Sequence, residues 1–275
     1  MWDWVWGGRH ALDARVLQYN WNGSCGFSVI QYSGSVFLAF IFVTRLAAAG
    51  GEIPAALPAK AFAPAIVIGF VGGRVAHNNA AHSEFQLARR LRQDYPEGVD
   101  VILYENRRSR QAHQQILRLL DVDHSGTVSA EEKLGARIAI YGHSWGASET
   151  VTLARALGKE GIPVLLTVQV DSIRKPGEND ESIPANVAQA VNFYQRQGLF
   201  RGRSRIRAAD ASRTEILGNF QLDYRNNLVD LGGYPWYARA FMKSHIEIES
   251  DPSVWGKVES LIRSKLLPAG ASRSN

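Results

Sequence analysis

Two hydrophobic periods alternate along the middle of the chain. Pro64-Ala65-Ile66-Val67-Ile68-Gly69-Phe70-Val71 is an unbroken apolar, β-branched run. A run of that kind predicts a strand covered on both faces. Over residues 82–95 the period lengthens, with Phe85, Leu87, Ala88 and Leu91 on one stripe. That spacing predicts an amphipathic helix, closed by Pro96-Glu97-Gly98. Residues 99–104 then read as a strand, 109–120 as a helix, 137–141 as a strand, 147–157 as a helix and 164–170 as a strand. Strand and helix alternating at short spacing predict an α/β fold, a mostly parallel sheet flanked by helices on both faces. Beyond residue 170 the pattern loosens. Pro176-Gly177 with Glu178, Asp180 and Glu181 predicts a loop, and residues 184–197 a helix. Residues 206–216 read as a strand, 236–243 as a helical patch, and Asp251-Pro252 as the N-cap and first position of a last helix.

The first sixty residues follow neither period. Residues 1–33 are rich in Trp and Gly, and 36–43 form an apolar run too short to span a bilayer. Leu46-Ala47-Ala48-Ala49-Gly50 follows, with the small residues of a signal-peptidase site. The pair predicts a secretory signal or anchor, with a buried strand or helix as the alternative. Residues 52–64 carry Pro and Ala in the manner of a linker. The expected division is therefore an extension over 1–61 and a folded domain over 62–275. The expected location is secreted or periplasmic, with proximity to a membrane through the apolar segment, and cytoplasmic as the alternative.

Composition narrows the class. The 275 residues, 45% of them hydrophobic, suit one sizeable core. The net charge of +5 is spread along the chain, apart from the runs at 107–110 and 201–207. Neither run interleaves with aromatics as a nucleic-acid module does, so both read as solvated faces and no nucleic-acid partner is expected. The single Cys25 excludes an internal disulfide.

Candidate chemistry lies where the third strand meets its helix. Gly142-His143-Ser144-Trp145-Gly146 is a G-x-S-x-G turn between a strand and a helix, the pattern of a nucleophile elbow. The serine is lifted above the sheet, and a Cβ at either glycine would collide with the adjacent strand or helix. Upstream, the first strand ends in Gly72-Gly73, where backbone can approach a reacting carbonyl closely. Residues 71–74 and the amide of Trp145 are candidate oxyanion donors. Of seven histidines only His245 follows Ser144. Asp171 ends the strand after the elbow, at the sheet edge where open parallel sheets bind ligands. Asp210 is the alternative acid, with Asp223, Asp230 and Glu247 further behind.

A second motif precedes the elbow. Asp121-Val122-Asp123-His124-Ser125-Gly126-Thr127-Val128-Ser129-Ala130-Glu131-Glu132 has oxygen donors at positions 1, 3, 5, 9 and 12, and glycine at 6. It resembles the EF-hand family over the loop and its incoming helix. The resemblance implies calcium held by Asp121, Asp123, Ser125, the Thr127 carbonyl, Ser129 through water, and Glu132. The alternative is a solvated acidic turn with a helix N-cap at Ser129. With the elbow only a strand away, the ion is expected to be structural.

Residues 64–266 taken together resemble the α/β-hydrolase superfamily, in style its lipase and esterase group. Phe70-Val71-Gly72-Gly73, the elbow, Val170-Asp171 and His245 carry that resemblance. It implies a serine hydrolase with a Ser144–His245–Asp171 triad in the chain order Ser, acid, His. It also implies an oxyanion hole from Trp145 and Val71, Gly72 or Gly73, and a small-molecule or lipid ester or thioester as substrate. The 173–200 segment would roof the site, with Phe193, Tyr194 and Phe200 as candidates to line an acyl pocket. Two readings remain beside it. One is a calcium-stabilised binding protein without catalysis; the other is a peptidase or acyltransferase using the same triad.

Overall fold

The computed structural model describes residues 65–226 and 229–266. The segments read above as signal, anchor and linker lie outside the described residues. Chain order is β1 (Ala65–Val71), α1 (Ser83–Asp94), β2 (Val99–Glu105), α2 (Ser109–Leu120), α3 (Ala130–Leu134), β3 (Arg137–His143), α4 (Trp145–Lys159) and β4 (Val164–Val170). Two-residue strands β5 (Ser182–Ile183) and β7 (Arg207–Ala208) pair outside the main sheet. β6 (Val187–Gln195) and β8 (Glu215–Leu222) complete the sheet, before α5 (Trp236–Phe241), α6 (Lys243–Ser250) and α7 (Pro252–Leu266).

The six-stranded sheet runs β2-β1-β3-β4-β6-β8, with every neighbouring pair parallel. Strand alternation divides the core in two. Val67 and Val71 of β1 point to a layer with Leu87 and Leu91 of α1 and with Trp255, Val258 and Ile262 of α7. Ile66, Ile68 and Phe70 point the other way, onto Ile116 and Leu120 of α2 and Val151, Ala154 and Leu157 of α4. Burial on both faces is why these strands carry no polar stripe; each such side chain contributes about 1.5–3 kcal/mol. This is an α/β fold, a parallel sheet flanked by helices on both faces. The chain steps outward from β1 to β2 on one side and returns to β3 on the other, so the strand order reverses between β1 and β3. The carboxyl ends at such a reversal form the crevice in which open α/β sheets hold ligands.

Three expectations are corrected. Residues 184–197 hold a strand, β6, and not a helix. Val187, Ala190, Val191 and Tyr194 are spaced like a helical stripe because polar Asn192 and Gln195 interrupt what is otherwise a strand buried along much of its length. Asn192 is tolerated there because its Nδ2 donates to the Arg203 carbonyl at 2.8 Å. Residues 206–216 are not one strand either: β7 and β8 flank a turn in which half-buried Asp210 accepts from Ser212 N–H and Oγ. Lastly, the hydrolase resemblance implies a loop for the histidine before the last helix, whereas the segment carrying His245 is helix α6. The last helix begins at Pro252, with Asp251 Oδ1 accepting from Ser253 N–H at 2.8 Å. Among the described residues no helix is long and apolar enough to cross a membrane.

Candidate active site

Ser144 stands between β3 and α4 with φ 56° and ψ −123°, a conformation that L residues rarely hold. Both glycines of the turn are sterically required. A Cβ on Gly142 would come within 2.5 Å of the Gly146 backbone, and one on Gly146 would be driven into the Phe70 carbonyl of β1. The Ser144 amide donates to the Val170 carbonyl at 3.0 Å, and the Ile173 amide donates to the Ser144 carbonyl at 3.2 Å. The strained residue is thereby anchored to β4 and to the loop that follows it.

Ser144, His245 and Asp171 come together from the ends of three separate elements. Ser144 Oγ lies 2.9 Å from His245 Nε2, and His245 Nδ1 lies 2.6 Å from Asp171 Oδ2. Asp171 is wholly buried, and His245 is 3% exposed. Asp171 also receives Gln195 N–H on Oδ1 at 3.1 Å and Gln195 Nε2 on Oδ2 at 2.8 Å. Gln195 additionally donates to the Phe200 carbonyl at 2.6 Å, which fastens the following loop. A Cβ on Gly202 would run into the Asp171 carboxylate, so that loop presses directly on the acid. The Phe200 ring sits 6.0 Å from the His245 ring. By contrast, Phe193 is buried core stacked on Phe220, and Tyr194 bonds Gln221 at the outer strand pair. Phe200 alone of those three aromatics reaches the site. Gln195 was hidden from sequence reading by the helical reading of β6. As a strand, the segment puts Gln195 at the carboxyl end, beside Asp171.

The oxyanion candidates divide. Gly72 touches the nucleophile, since a Cβ there would be 3.0 Å from Ser144 Cβ. Its N–H, however, donates to Glu84 Oε1 at 3.3 Å and is already committed. Val71 belongs to β1, and its carbonyl accepts Asn106 Nδ2 at 3.1 Å. Asn106 Nδ2 also reaches the Gly73 carbonyl at 2.5 Å. With the Gly73 carbonyl held and φ at +50°, the loop is fixed next to Ser144. Trp145 opens α4, and a first-turn amide has no intrahelical acceptor. The amides of Trp145 and Gly73 are therefore the donors best placed by position.

On the far side of Ser144 lies a second set of buried ionisable groups. His143 packs against His245 with ring centroids 4.5 Å apart and the planes tilted by 35°. His143 Nδ1 is 3.5 Å from Glu249 Oε2 and 3.9 Å from Glu84 Oε1, and His82 Nδ1 bonds Glu249 Oε1. Burial pushes His143 down to about 4. Burial and the neighbouring Glu249 charge raise the Glu84 carboxyl well above the usual carboxylate range. Burial works against ionisation of Glu249 as well, but His143 and His82 outweigh it and bring that carboxyl to about 2. A cavity of about 330 Å³ is lined by His82, His143 and Glu249 together with Ser144, with Glu84 buried behind it. Its other wall is apolar, with Ala81, Tyr234, Ala238, Met242 and Ile246. Exposed Trp236, Tyr237 and Phe241 stand on α5 nearby.

The 121–132 loop folds inward on its acids. Asp121 accepts from the Ser125 and Gly126 amides at 2.9 and 3.0 Å, and Asp123 accepts from the Ser125 amide at 3.0 Å. Ser125 Oγ donates to the Thr127 carbonyl at 2.9 Å, and Gly126 turns the chain with φ +86°. Carboxylate oxygens of Asp121, Asp123 and Glu132 lie within 4.8 Å of one another. That all-oxygen donor set suits a hard cation such as calcium. Glu132 and Ser129 also form a capping box at the start of α3, and Glu132 Oε1 takes the Val122 amide at 2.7 Å. Ser129 is thus bound to the helix end. The loop is moored to the core by Val128 and Ala136.

No family model matches the sequence, and no curated protein does. Among solved structures the chain is similar to a cutinase-like protein from Cryptococcus sp., at 14% identity over 74% of this chain and 95% of that one, with a TM-score of 0.39. It is also similar to a thermostable esterase from Pseudomonas putida ECU1011, at 12% identity over 77% of each chain and a TM-score of 0.38. A third is dienelactone hydrolase from Anabaena variabilis ATCC 29413, at 11% identity over 74% of this chain and 85% of that one, with a TM-score of 0.35.

Proposed function

We propose that the protein is a serine hydrolase that cleaves carboxylic esters or thioesters through an acyl-enzyme. The hydrogen-bonded series Ser144 Oγ, His245 Nε2, His245 Nδ1 and Asp171 Oδ2 carries this reading. Asp171 accepts from Nδ1–H and so leaves Nε2 as the base facing the serine. His245 takes the Ser144 proton as Oγ attacks the carbonyl carbon. The oxyanion that forms is held by the amides of Trp145 and Gly73. Collapse expels the alcohol or thiol, which leaves with the proton from Nε2. Water then attacks the acyl-enzyme with the same imidazole as base, and Ser144 is restored as the carboxylic acid departs. Losing one oxyanion donor costs about 3 kcal/mol of transition-state stabilisation. The apolar wall of the cavity gives the acyl group a place beside Ser144.

Calcium is the second part of the proposal. Asp121, Asp123, Ser125, the Thr127 carbonyl and Glu132 would hold the ion, with Ser129 at the edge of the set as the cap of α3. It would tie α2 to the entry of β3, and no chemical step passes through it. Secretion, with a small-molecule or lipid ester as substrate, completes the reading.

A fluorophosphonate probe and a panel of p-nitrophenyl esters test the enzyme. Wild type is expected to be labelled at Ser144 and to hydrolyse at least one ester. Ser144→Ala is expected to lose labelling and about 10³-fold or more of the activity. Folded wild type that takes no label and turns over no ester would overturn the proposal.

A further inference from the structure

The mechanism above makes no use of His82, Glu84 or Glu249, although they surround the nucleophile from behind. One nitrogen or oxygen from each of the three lies within 4.8 Å of the others. Glu84 is wholly buried and Glu249 is 3% exposed. Ligand atoms bonded to one zinc ion at about 2.0–2.2 Å stand roughly 3–4 Å apart, so the three are near the spacing an ion would set. The set is under-satisfied as it stands. Glu84 Oε1 has one donor, the Gly72 amide, and Glu84 Oε2 has none. A buried carboxylate oxygen without a donor has lost its water and gained nothing in return. Two carboxylates in contact inside a protein lack one thing, a positive charge between them.

We propose that His82, Glu84 and Glu249 form a binding site for a divalent transition-metal cation, zinc being the best fit to one imidazole and two carboxylates. His82 binds through Nδ1, and Glu84 with the oxygen that now has no donor. His143 Nδ1, 3.5 Å from Glu249 Oε2, serves as the outer partner that orients that ligand. His82 and Glu249 both line the cavity that opens to Ser144, which gives the ion a path in. The ligands come from the start of α1 and from α6, the helix that carries His245. Through Glu84 the ion would also brace Gly72, and through His143 the elbow itself. It would fix the parts of the site against one another and would leave the serine chemistry as written.

The site is read by bound metal, and turnover does not enter, so its failure is separate from any failure of the hydrolase reading. The full chain is stripped with a zinc-selective chelator, loaded with excess Ca²⁺ to fill the 121–132 loop, and titrated with Zn²⁺ against an indicator dye. About one tight equivalent per chain is expected by elemental analysis. His82→Ala and Glu249→Gln are expected to weaken it by about 100-fold or more, since even outer-shell partners of a ligand cost 10–100-fold. Asp123→Asn is expected to leave it unchanged. Absence of a tight equivalent in wild type overturns the proposal. So does retention of that equivalent in either folded variant, or its loss in Asp123→Asn. If one variant does not fold, the wild-type titration and the other variant still decide.

Discussion

Two carboxylate–imidazole assemblies flank Ser144, and they are satisfied very differently. On one side Asp171 takes donors from the Gln195 amide, the Gln195 side chain and His245, and every bond has ordinary length. On the other side two glutamates face two histidines, and one buried carboxylate oxygen has no donor. Both pair buried carboxylates with imidazoles. What separates them is the number of fixed donors around each carboxylate. A carboxylate with three donors has its charge stabilised in place and can hold an imidazole in one tautomer. A pair of carboxylates with too few donors must keep a proton or take up a cation.

The sharpest way to break the contrast is the same chemical change on the satisfied side. Asp171→Asn keeps the shape but puts an amide where His245 needs an acceptor. The imidazole is then left with the wrong nitrogen protonated. A fall in kcat of about 10³–10⁴-fold with KM little changed is expected, read by ester hydrolysis under saturating substrate. Gln195→Leu is the milder form of that test. It removes the side-chain donor from Asp171 and leaves the backbone one. Folding stability should fall by about 1–3 kcal/mol in urea melts. Activity should drop about tenfold in kcat, the equivalent of 1.4 kcal/mol in acid orientation. An unchanged kcat would mean that the Gln195 amide group does not position Asp171.

The two sides were also unequally legible. Ser144, Asp171 and His245 could be proposed from sequence because each falls at a pattern boundary: a G-x-S-x-G turn, the end of an apolar strand, and the last histidine in the chain. The strands β1 to β4 were legible for the same reason, being apolar runs buried on two faces. Glu84 and Glu249 sit inside amphipathic helices, where a glutamate ordinarily marks the solvent side, and only packing reveals that these two point inward. Gln195 was lost because β6 buries Asn192 and Gln195, and polar residues inside a strand imitate helical spacing. The commitment of the Gly72 amide to Glu84 had no local signal either, since twelve residues separate the pair.

The calcium loop offers a control on a distant part of the domain, because its acids are half-buried or exposed where those of the active site are sealed. Adding EGTA to protein in about 100-fold excess of Ca²⁺ over Kd removes roughly 2.7 kcal/mol of binding linkage. For a domain of this size that lowers Tm by roughly 5–10 °C by differential scanning calorimetry. Asp121→Asn should abolish most of the shift. A midpoint indifferent to calcium would count against the ion and leave the capping box of Ser129 and Glu132 as the reason for the sequence.

The smallest effect is expected from Glu84→Gln in zinc-free protein, and it completes the comparison with Asp171→Asn. Without a cation, burial and the Glu249 charge favour the protonated form of Glu84, which can donate to Glu249 while Oε1 still accepts the Gly72 amide. Glutamine reproduces both bonds with its Nε2 and Oε1, so stability near pH 5 should change by no more than about 0.5 kcal/mol. The sign of the pH dependence follows from the raised pKa. Above the ordinary value of 4.5 the unfolded chain releases the Glu84 proton while the folded chain keeps it. The folded state then binds more protons, and stability falls as pH rises from 4.5 towards the raised value. The glutamine variant lacks that slope, so the two proteins should diverge in urea midpoint as pH increases, with the variant the more stable. Zinc should reverse the order, raising the Tm of wild type and leaving the variant, which has lost a ligand, nearly where it was.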